Sequence, residues 1–274
     1  MSDTEFDVHA ALRQRLRFEQ ACGIESLRPL ALEKKAPASP ASASIPVAKP
    51  GVQRALAPTG SAAAKPEAAP GASEVVAPSQ APQDSAEKAQ RWAELEAQVK
   101  ACTKCPLHAG RTQTVFGEGD RNARLVFVGE GPGETEDQTG RPFVGRAGEL
   151  LDKIIGAMGL QRQQVYICNI VKCRPPGNRT PELTEVATCT PYLEAQLELI
   201  GPKAIVALGA PASKYLLKTN TGIMALRGRW GTYRGIKVMP TYHPAFLLRQ
   251  YTDANRRAVW DDMQQVLGYL KENS

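Results

Sequence analysis

The fold is decided by the stretch RLVFVGEGPGETED, residues 124–137. Residues 124–129 (RLVFVG) form a short, mostly apolar segment with β-branched residues, which predicts a buried parallel strand, and a loop rich in glycine and carboxylates follows it directly. Three later segments are similarly apolar, and they are VYICNIV (165–171), AIVAL (204–208) and KVMPT (237–241). Helical patterns separate these segments, so we expect a three-layer α/β/α sandwich with a central, mainly parallel four-stranded sheet. Ligands of such sheets bind beyond the carboxyl ends of the strands.

Residues 36–85 differ sharply in composition from the rest of the chain. Ala, Pro, Ser and Gly make up 34 of these 50 residues, nine of them are Pro, and none is aromatic. Such a segment cannot bury enough apolar surface to offset its chain entropy, so we expect a disordered linker. The chain then divides into a short helical island (1–35), the linker (36–85) and one folded domain (86–274). Residues 8–30 of the island are expected either to dock on the domain or to bind a protein partner.

The charge of the chain belongs to the predicted domain. The formal net charge is +6, and residues 1–90 contribute none of it because their ten basic and ten acidic side chains balance. A basic domain favours a polyanionic partner, usually nucleic acid, although solubility alone would also explain it. No apolar run approaches the roughly 18–20 residues of a membrane span, and no secretory signal follows Met1. We therefore expect a cytoplasmic protein, without membrane contact, in which thiols stay reduced.

Four cysteines have a spacing that is typical of a metal site. Cys102 and Cys105 form a C-x-x-C pair, Cys173 follows the second strand, and Cys189 lies 16 residues later. Four thiolates suit either structural zinc or an iron–sulfur cluster, and the spacing leaves both open. Ordinary buried cysteines are the alternative reading, and Cys168, inside a strand, is expected to belong to the core.

The glycine-rich loop is a poor match to a nucleotide-binding motif. The order G-x-G-P-G at residues 129–133 is not G-x-G-x-x-G, and no GK[ST] follows it. Nearby carboxylates would also repel phosphate. We interpret the glycines as letting a substrate approach the backbone closely.

The order of four motifs carries a specific resemblance. GEGPGETEDQTGRPFVGRAG, VYICNIVKCRPPGNRTP, CTPYLEAQL and YHPAFLLR together resemble the family 4 uracil-DNA glycosylases, the iron–sulfur members of their superfamily. The resemblance covers roughly residues 95–270. It implies a DNA repair enzyme that flips uracil out of DNA and hydrolyses its glycosidic bond, leaving an abasic site. It also implies a 4Fe–4S cluster, with zinc as the less favoured alternative, held by Cys102, Cys105, Cys173 and Cys189.

The same resemblance assigns roles within the predicted base pocket. Phe143 is expected to stack on the flipped base, Asn169 to read its edge, and His243 to contact the leaving base. Gly131 belongs to the first motif and is expected to lie in the loop that contacts the substrate. Gly131 stands where many members of the superfamily carry a carboxylate or amide, so another group must hold the attacking water. The candidates are Glu130, Glu136 and a backbone carbonyl group alone.

Contacts to DNA are expected around the last motif. Leu247 or Leu248 would supply an apolar wedge for the gap left by the flipped base, and Arg249 would hold a phosphate. Packing of one of the two leucines in the core is the alternative. Further backbone contacts are expected from basic side chains, namely Lys172, Arg174, Arg179, Arg227 and Arg229. We expect a monomer that acts on uracil in single- or double-stranded DNA, at the nucleoid of a bacterium. The alternative is an iron–sulfur nucleic-acid-binding or redox-sensing module without glycosylase activity.

Overall fold

The structure is a computed structural model that describes residues 85–273 and, nearer the N-terminus, Arg13, Gln14, Leu16, Arg17 and Gln20. These five residues are helical, and the Gln14 amide lies 3.5 Å from the carbonyl oxygen of Met158 in the domain. The predicted linker, residues 36–85, lies outside the described residues except for Ser85. Most of the proposed partner-binding segment, residues 8–30, lies outside them as well.

A six-stranded sheet forms the centre of the domain, with the strand order β1-β3-β2-β4-β6-β5. The strands are β1 (Glu118–Gly119), β2 (Leu125–Gly129), β3 (Tyr166–Asn169), β4 (Ala204–Leu208), β5 (Gly231–Tyr233) and β6 (Ile236–Thr241). The four central strands are parallel to one another and correspond to the four predicted segments. The expected count of four was too low, because β1 and β5 add short antiparallel edges. Neither edge strand exceeds three residues, so neither leaves an apolar run in the sequence.

Helices cover both faces of the sheet, as expected for a three-layer sandwich. They are α1 (Ser85–Lys100), α2 (Glu134–Thr139), α3 (Arg146–Ala157), α4 (Leu183–Ile200), α5 (Gly209–Leu217), α6 (Ile223–Leu226), α7 (Pro244–Arg249) and α8 (Asp253–Glu272). Alternate residues of β2 point to opposite layers. Val126 and Val128 pack with α1, α4 and α5, whereas Leu125 and Phe127 pack with α3, α7 and α8. None of the helices in the described part of the chain has the length and apolar character needed to cross a bilayer.

The parallel register brings the functional loops to one edge. Gly129 at the end of β2 pairs with Asn169 at the end of β3, and Leu208 at the end of β4 pairs with Thr241 at the end of β6. The carboxyl ends of all four central strands therefore lie side by side, and the segments that follow them surround a common space.

Candidate active site

A cleft of about 580 Å³ lies at this carboxyl edge of the sheet. That volume is within the range of small-molecule sites. The cleft is lined by all the predicted catalytic and base-contacting residues, which are Glu130, Gly131, Glu136, Phe143, Asn169 and His243, together with Arg249. Residues from four loops and α7 thus meet as the resemblance implied.

Asn169 ends β3 with a polar atom that nothing in the protein satisfies. The residue is 1% exposed, and its Oδ1 atom has no hydrogen-bond partner. An unpaired buried acceptor is costly, so a ligand donor is the expected partner. Gly129 faces this amide closely, since a Cβ atom there would lie 2.4 Å from Oδ1 of Asn169 and 2.5 Å from the Phe143 ring. Only glycine leaves both groups in place.

Phe143 has a strained backbone at the wall of the cleft. Its φ angle is +50°, in the left-handed region that bulky residues rarely adopt. The ring lies 5.5 Å from the His243 ring, centroid to centroid, with an interplanar angle of 31°. Strain of this kind persists where surrounding contacts impose it, often at functional sites.

Two side chains hold the Phe143 loop in that conformation. Arg162 donates to the carbonyl oxygens of Pro142 and Phe143, the latter at 3.2 Å. Glu136 accepts hydrogen bonds from the backbone N–H groups of Val144 and Gly145 through Oε1, both at 2.9 Å, and from that of Gly133 through Oε2. Glu136 lines the cleft as expected, but both its oxygens are bonded to backbone, which favours positioning over the expected handling of water. Arg162 lies in no recognisable motif, and no sequence signal pointed to it.

His243 presents a neutral imidazole to the cleft. Its Nδ1 atom accepts the backbone N–H of Ala245 at 3.1 Å, which leaves the ring proton on Nε2. Burial, assisted by the positive charge of Arg249, lowers the pKa of His243 from 6.5 to about 4. The imidazole is therefore an uncharged hydrogen-bond donor at neutral pH. Gly209 makes this placement possible, because a Cβ atom there would lie 3.0 Å from Cβ of His243.

Glu130 is the carboxylate whose environment suits a proton acceptor. Burial raises its pKa above the usual value, and a hydrogen bond from Thr180 opposes that rise in part. Gly131, next to it, is closely packed, since a Cβ atom there would lie 2.7 Å from the Val171 side chain. The absence of a side chain at position 131 therefore has a packing reason.

The predicted DNA-contacting residues separate into buried and exposed ones. Leu247 is 1% exposed and packs in the core with α8, so the expectation that it contacts DNA is wrong. Leu248 is half-buried, and Arg249 is exposed at the cleft. Two exposed apolar side chains lie close in sequence to cleft-lining residues. Met224 (79% exposed) directly follows Ile223, and Leu183 (88% exposed) lies two residues after Pro181.

Three of the basic side chains expected at DNA have partners within the protein. Lys172 is 1% exposed, so a phosphate contact by it is excluded. Arg227 pairs with the buried carboxylate of Asp262 at 2.6 Å, and Arg179 pairs with Glu185 at 2.7 Å.

The four predicted metal-ligating cysteines line a second, small pocket. Cys102 and Cys105 follow α1, Cys173 follows β3, and Cys189 lies in α4. Two sulfur atoms already accept hydrogen bonds. Arg111 donates to Sγ of Cys173 at 3.1 Å, and the backbone N–H of Lys172 donates to Sγ of Cys189 at 3.2 Å.

The chemistry of this pocket fits a group that binds thiolates. Burial raises the pKa of Cys189 to about 11, and the nearby Cys173 and Cys105 sulfur atoms add to that rise. An incoming metal would therefore displace thiol protons. Within residues 85–273 and the five helical N-terminal residues, no group of three or more His, Cys, Asp or Glu side chains is arranged to hold a metal ion. Cys168 is buried inside β3, in agreement with its predicted place in the core.

A phenylalanine ring on a strained backbone, a carboxamide with an unpaired Oδ1 atom and a neutral imidazole meet at the carboxyl edge of a parallel sheet in an α/β protein, and this set of groups suits a planar, hydrogen-bonding ligand. A profile of the Uracil DNA glycosylase superfamily matches residues 116–264. The chain is 50% identical to a type-4 uracil-DNA glycosylase of Thermotoga maritima over 182 residues, covering 65% of this chain and 94% of the relative.

Relatives in archaea have the same name. A type-4 uracil-DNA glycosylase of Sulfurisphaera tokodaii is 43% identical over 192 residues, which cover 67% of this chain and 84% of the relative. One of Saccharolobus solfataricus is 43% identical over 178 residues, which cover 62% of this chain and 82% of the relative. The chain belongs to the type-4 uracil-DNA glycosylases.

Proposed function

We propose that this protein removes uracil from DNA by hydrolysing the N-glycosidic bond, which leaves an abasic site. The observation that carries the proposal is the buried, unpartnered Oδ1 of Asn169, a residue that lines the same cleft as Phe143 and His243. A duplex hides the glycosidic bond, so the nucleotide must first be flipped into this cleft.

The carboxamide of Asn169 is suited to read uracil. Its Oδ1 atom can accept the N3–H of the base while its amide nitrogen donates to O4. Cytosine presents the opposite pattern, so it would leave two buried polar groups unpaired. Stacking on the ring of Phe143 would add about 1–3 kcal/mol for any base, which supplies affinity without selectivity.

His243 is suited to stabilise the departing base. Uracil leaves as an anion while the sugar becomes oxocarbenium-like, so negative charge develops on the base. The Nε2–H of His243 would donate to O2 of uracil as that charge grows. Because the imidazole is already neutral at pH 7, it donates a hydrogen bond without first having to acquire a proton.

Glu130 is the group that we propose to hold the attacking water. Its carboxylate lines the cleft, and its raised pKa makes it a better proton acceptor than an exposed glutamate. Glu136 is less suited because three backbone N–H groups already occupy its oxygens.

The DNA backbone would be held at the mouth of the cleft. Arg249 is exposed there and is positioned for a phosphate contact. The wedge that fills the gap in the base stack would come from Leu248 or from Met224, because Leu247 is buried.

The cysteine pocket would hold an iron–sulfur cluster. Cys102, Cys105, Cys173 and Cys189 line one pocket, and four thiolates suit a 4Fe–4S cluster, with a structural zinc ion as the less favoured alternative. Such a cluster, when bound, can carry electrons or serve structure. Its ligands come from three separate segments, so its binding would fix the segment after β3 to α4 and to the end of α1, and would contribute to folding.

A single assay separates this function from a binding or redox-sensing module. The protein is incubated with oligonucleotides that contain one uracil, one thymine or one cytosine at the same position, and alkali is then added. Uracil-dependent strand cleavage is the expected result, in single and double strands. Tight DNA binding without cleavage would instead support the alternative. Because its substrate is chromosomal DNA, we expect the protein in the cytoplasm.

A further inference from the structure

Lys172 is a buried ammonium group that the reaction as described does not use. It is among the largest fully buried side chains of the described residues, and it lines the cysteine pocket. Burying an ammonium group is costly unless hydrogen bonds compensate for it. Because Lys172 is buried, neither solubility nor contact with DNA explains why a lysine stands at this position.

The hydrogen bonds of Lys172 connect the two sites of the protein. Its Nζ atom donates to the backbone carbonyl of Asn169 at 2.9 Å and to Oε1 of Gln196 at 2.6 Å. Its backbone N–H donates to Sγ of Cys189. One residue thus bonds the base-reading position on one side and a cysteine of the pocket on the other.

This arrangement matters because Asn169 is the last residue of β3. In the ladder Asn169 pairs with Gly129 of β2, and beyond it the backbone N–H groups of Ile170 and Val171 donate to the carbonyl oxygens of Gly129 and Glu130. The carbonyl oxygen of Asn169 accepts the hydrogen bond from Lys172. This bond limits rotation about the backbone bonds next to the Asn169 Cα atom, from which the carboxamide projects. A shift of about 1 Å in such a group can cost roughly a hundredfold in rate.

We propose that Lys172 is a positioning residue that fixes the backbone of Asn169, and thereby the uracil-reading carboxamide, against α4, the helix that carries Gln196 and Cys189. The inference rests on the proposed function and adds a residue to it. It predicts that Lys172 acts on uracil recognition through Asn169 and not through general stability.

A double-mutant cycle tests this route directly. Single-turnover excision is measured for the full chain, for Lys172→Met, for Asn169→Ala and for the double variant. We expect Lys172→Met to slow excision about tenfold or more, the effect of losing a charged hydrogen bond. In the Asn169→Ala background the same change should alter the rate less than about twofold, since its target is gone. Equal effects in both backgrounds would overturn the inference.

Gln196→Met is the matched control. It removes the other acceptor of Lys172 from the same buried network but leaves the bond to Asn169. We expect free uracil to bind Lys172→Met about tenfold more weakly than wild type, and Gln196→Met within about threefold of it. Equal losses in the two variants would place the effect in the network as a whole and overturn the inference.

Visible absorbance of anaerobically purified protein supplies the remaining readout. Lys172→Met should retain the wild-type absorbance per chain, and a loss of colour parallel to the loss of uracil binding would overturn the inference. If Lys172→Met does not fold, Lys172→Gln is used in its place. A wild-type protein that excises no uracil would overturn the proposed function and this inference together. If the wild type excises uracil and Lys172→Met excises it at the same rate, this inference alone would be overturned.

Discussion

The base-binding cleft and the cysteine pocket share the segment after β3, but they differ in whether their polar atoms have hydrogen-bond partners within the protein. In the cleft, Oδ1 of Asn169 is buried without a partner, and Phe143 is strained at a φ angle of +50°. In the pocket, Sγ of Cys173 and Sγ of Cys189 already accept hydrogen bonds.

The difference indicates two kinds of occupant. An unpaired acceptor and a strained Phe143 backbone lower the stability of the empty cleft, and a ligand that arrives and leaves can satisfy the acceptor transiently. Bonded sulfur atoms between elements that are distant in sequence suit a group that stays bound and supports the fold. Variants in the two regions should therefore affect different properties.

The largest effect on stability is expected in the cysteine pocket. Cys189→Ala should lose roughly 3–5 kcal/mol, which corresponds to about 6–20 °C in Tm for a domain of this size, because the ligand set and a buried contact are lost together. Asn169→Ala should leave Tm almost unchanged, since it removes an unsatisfied acceptor. Thermal unfolding followed by circular dichroism and visible absorbance measures both. A similar Tm for both variants would contradict the distinction between the two regions.

Gly129→Ala should have the converse effect, with lost activity and little lost stability. The new Cβ atom would push against Oδ1 of Asn169 and the Phe143 ring, so both base-contacting groups move. We expect kcat/KM to fall about a hundredfold while the visible absorbance is retained. Gly156→Ala is the control, because its Cβ meets nothing within 4 Å. It should leave activity intact and add about 0.5–1 kcal/mol of stability, as Gly to Ala does within a helix.

A smaller effect is expected from pH. The pKa of Glu130 is raised by burial, so its carboxylate should become protonated, and single-turnover excision should slow, at a higher pH than for an exposed glutamate. In Glu130→Gln that acid limb should disappear, and the rate should stay level until the pH approaches about 4, where His243 takes up a proton. An unchanged acid limb in Glu130→Gln would assign the water to another group.

The sequence was most informative about the central strands. The ends of β2 and β4 fall at the residues where the predicted segments end, because each is an apolar run bounded by glycine or by a helix start. The segment 165–171 was predicted longer than β3, since Ile170 and Val171 continue the apolar run beyond the last ladder pair. Helices α2, α6 and α7 were missed, because six residues or fewer carry no readable period.

The sequence predicted the side chains that line the site, but not the side chains that hold them in position. Asn169, Phe143 and His243 stand in motifs, and the sheet brings them together. Arg162 has no motif, so only the structure reveals that it holds the Phe143 loop. Lys172 did leave a signal, since it interrupts the apolar run NIVKC, where a charged side chain needs buried partners.

Single-turnover excision of uracil by His243→Ala and Glu130→Gln tests the central claim most directly, with a duplex that holds one uracil and enzyme in excess. Because His243 is assigned to the developing charge on the base, we predict that His243→Ala is slower than wild type by about a hundredfold or more, and slower than Glu130→Gln. Both variants should bind an abasic duplex as tightly as wild type does. A His243→Ala protein that excises uracil at the full rate would contradict the account.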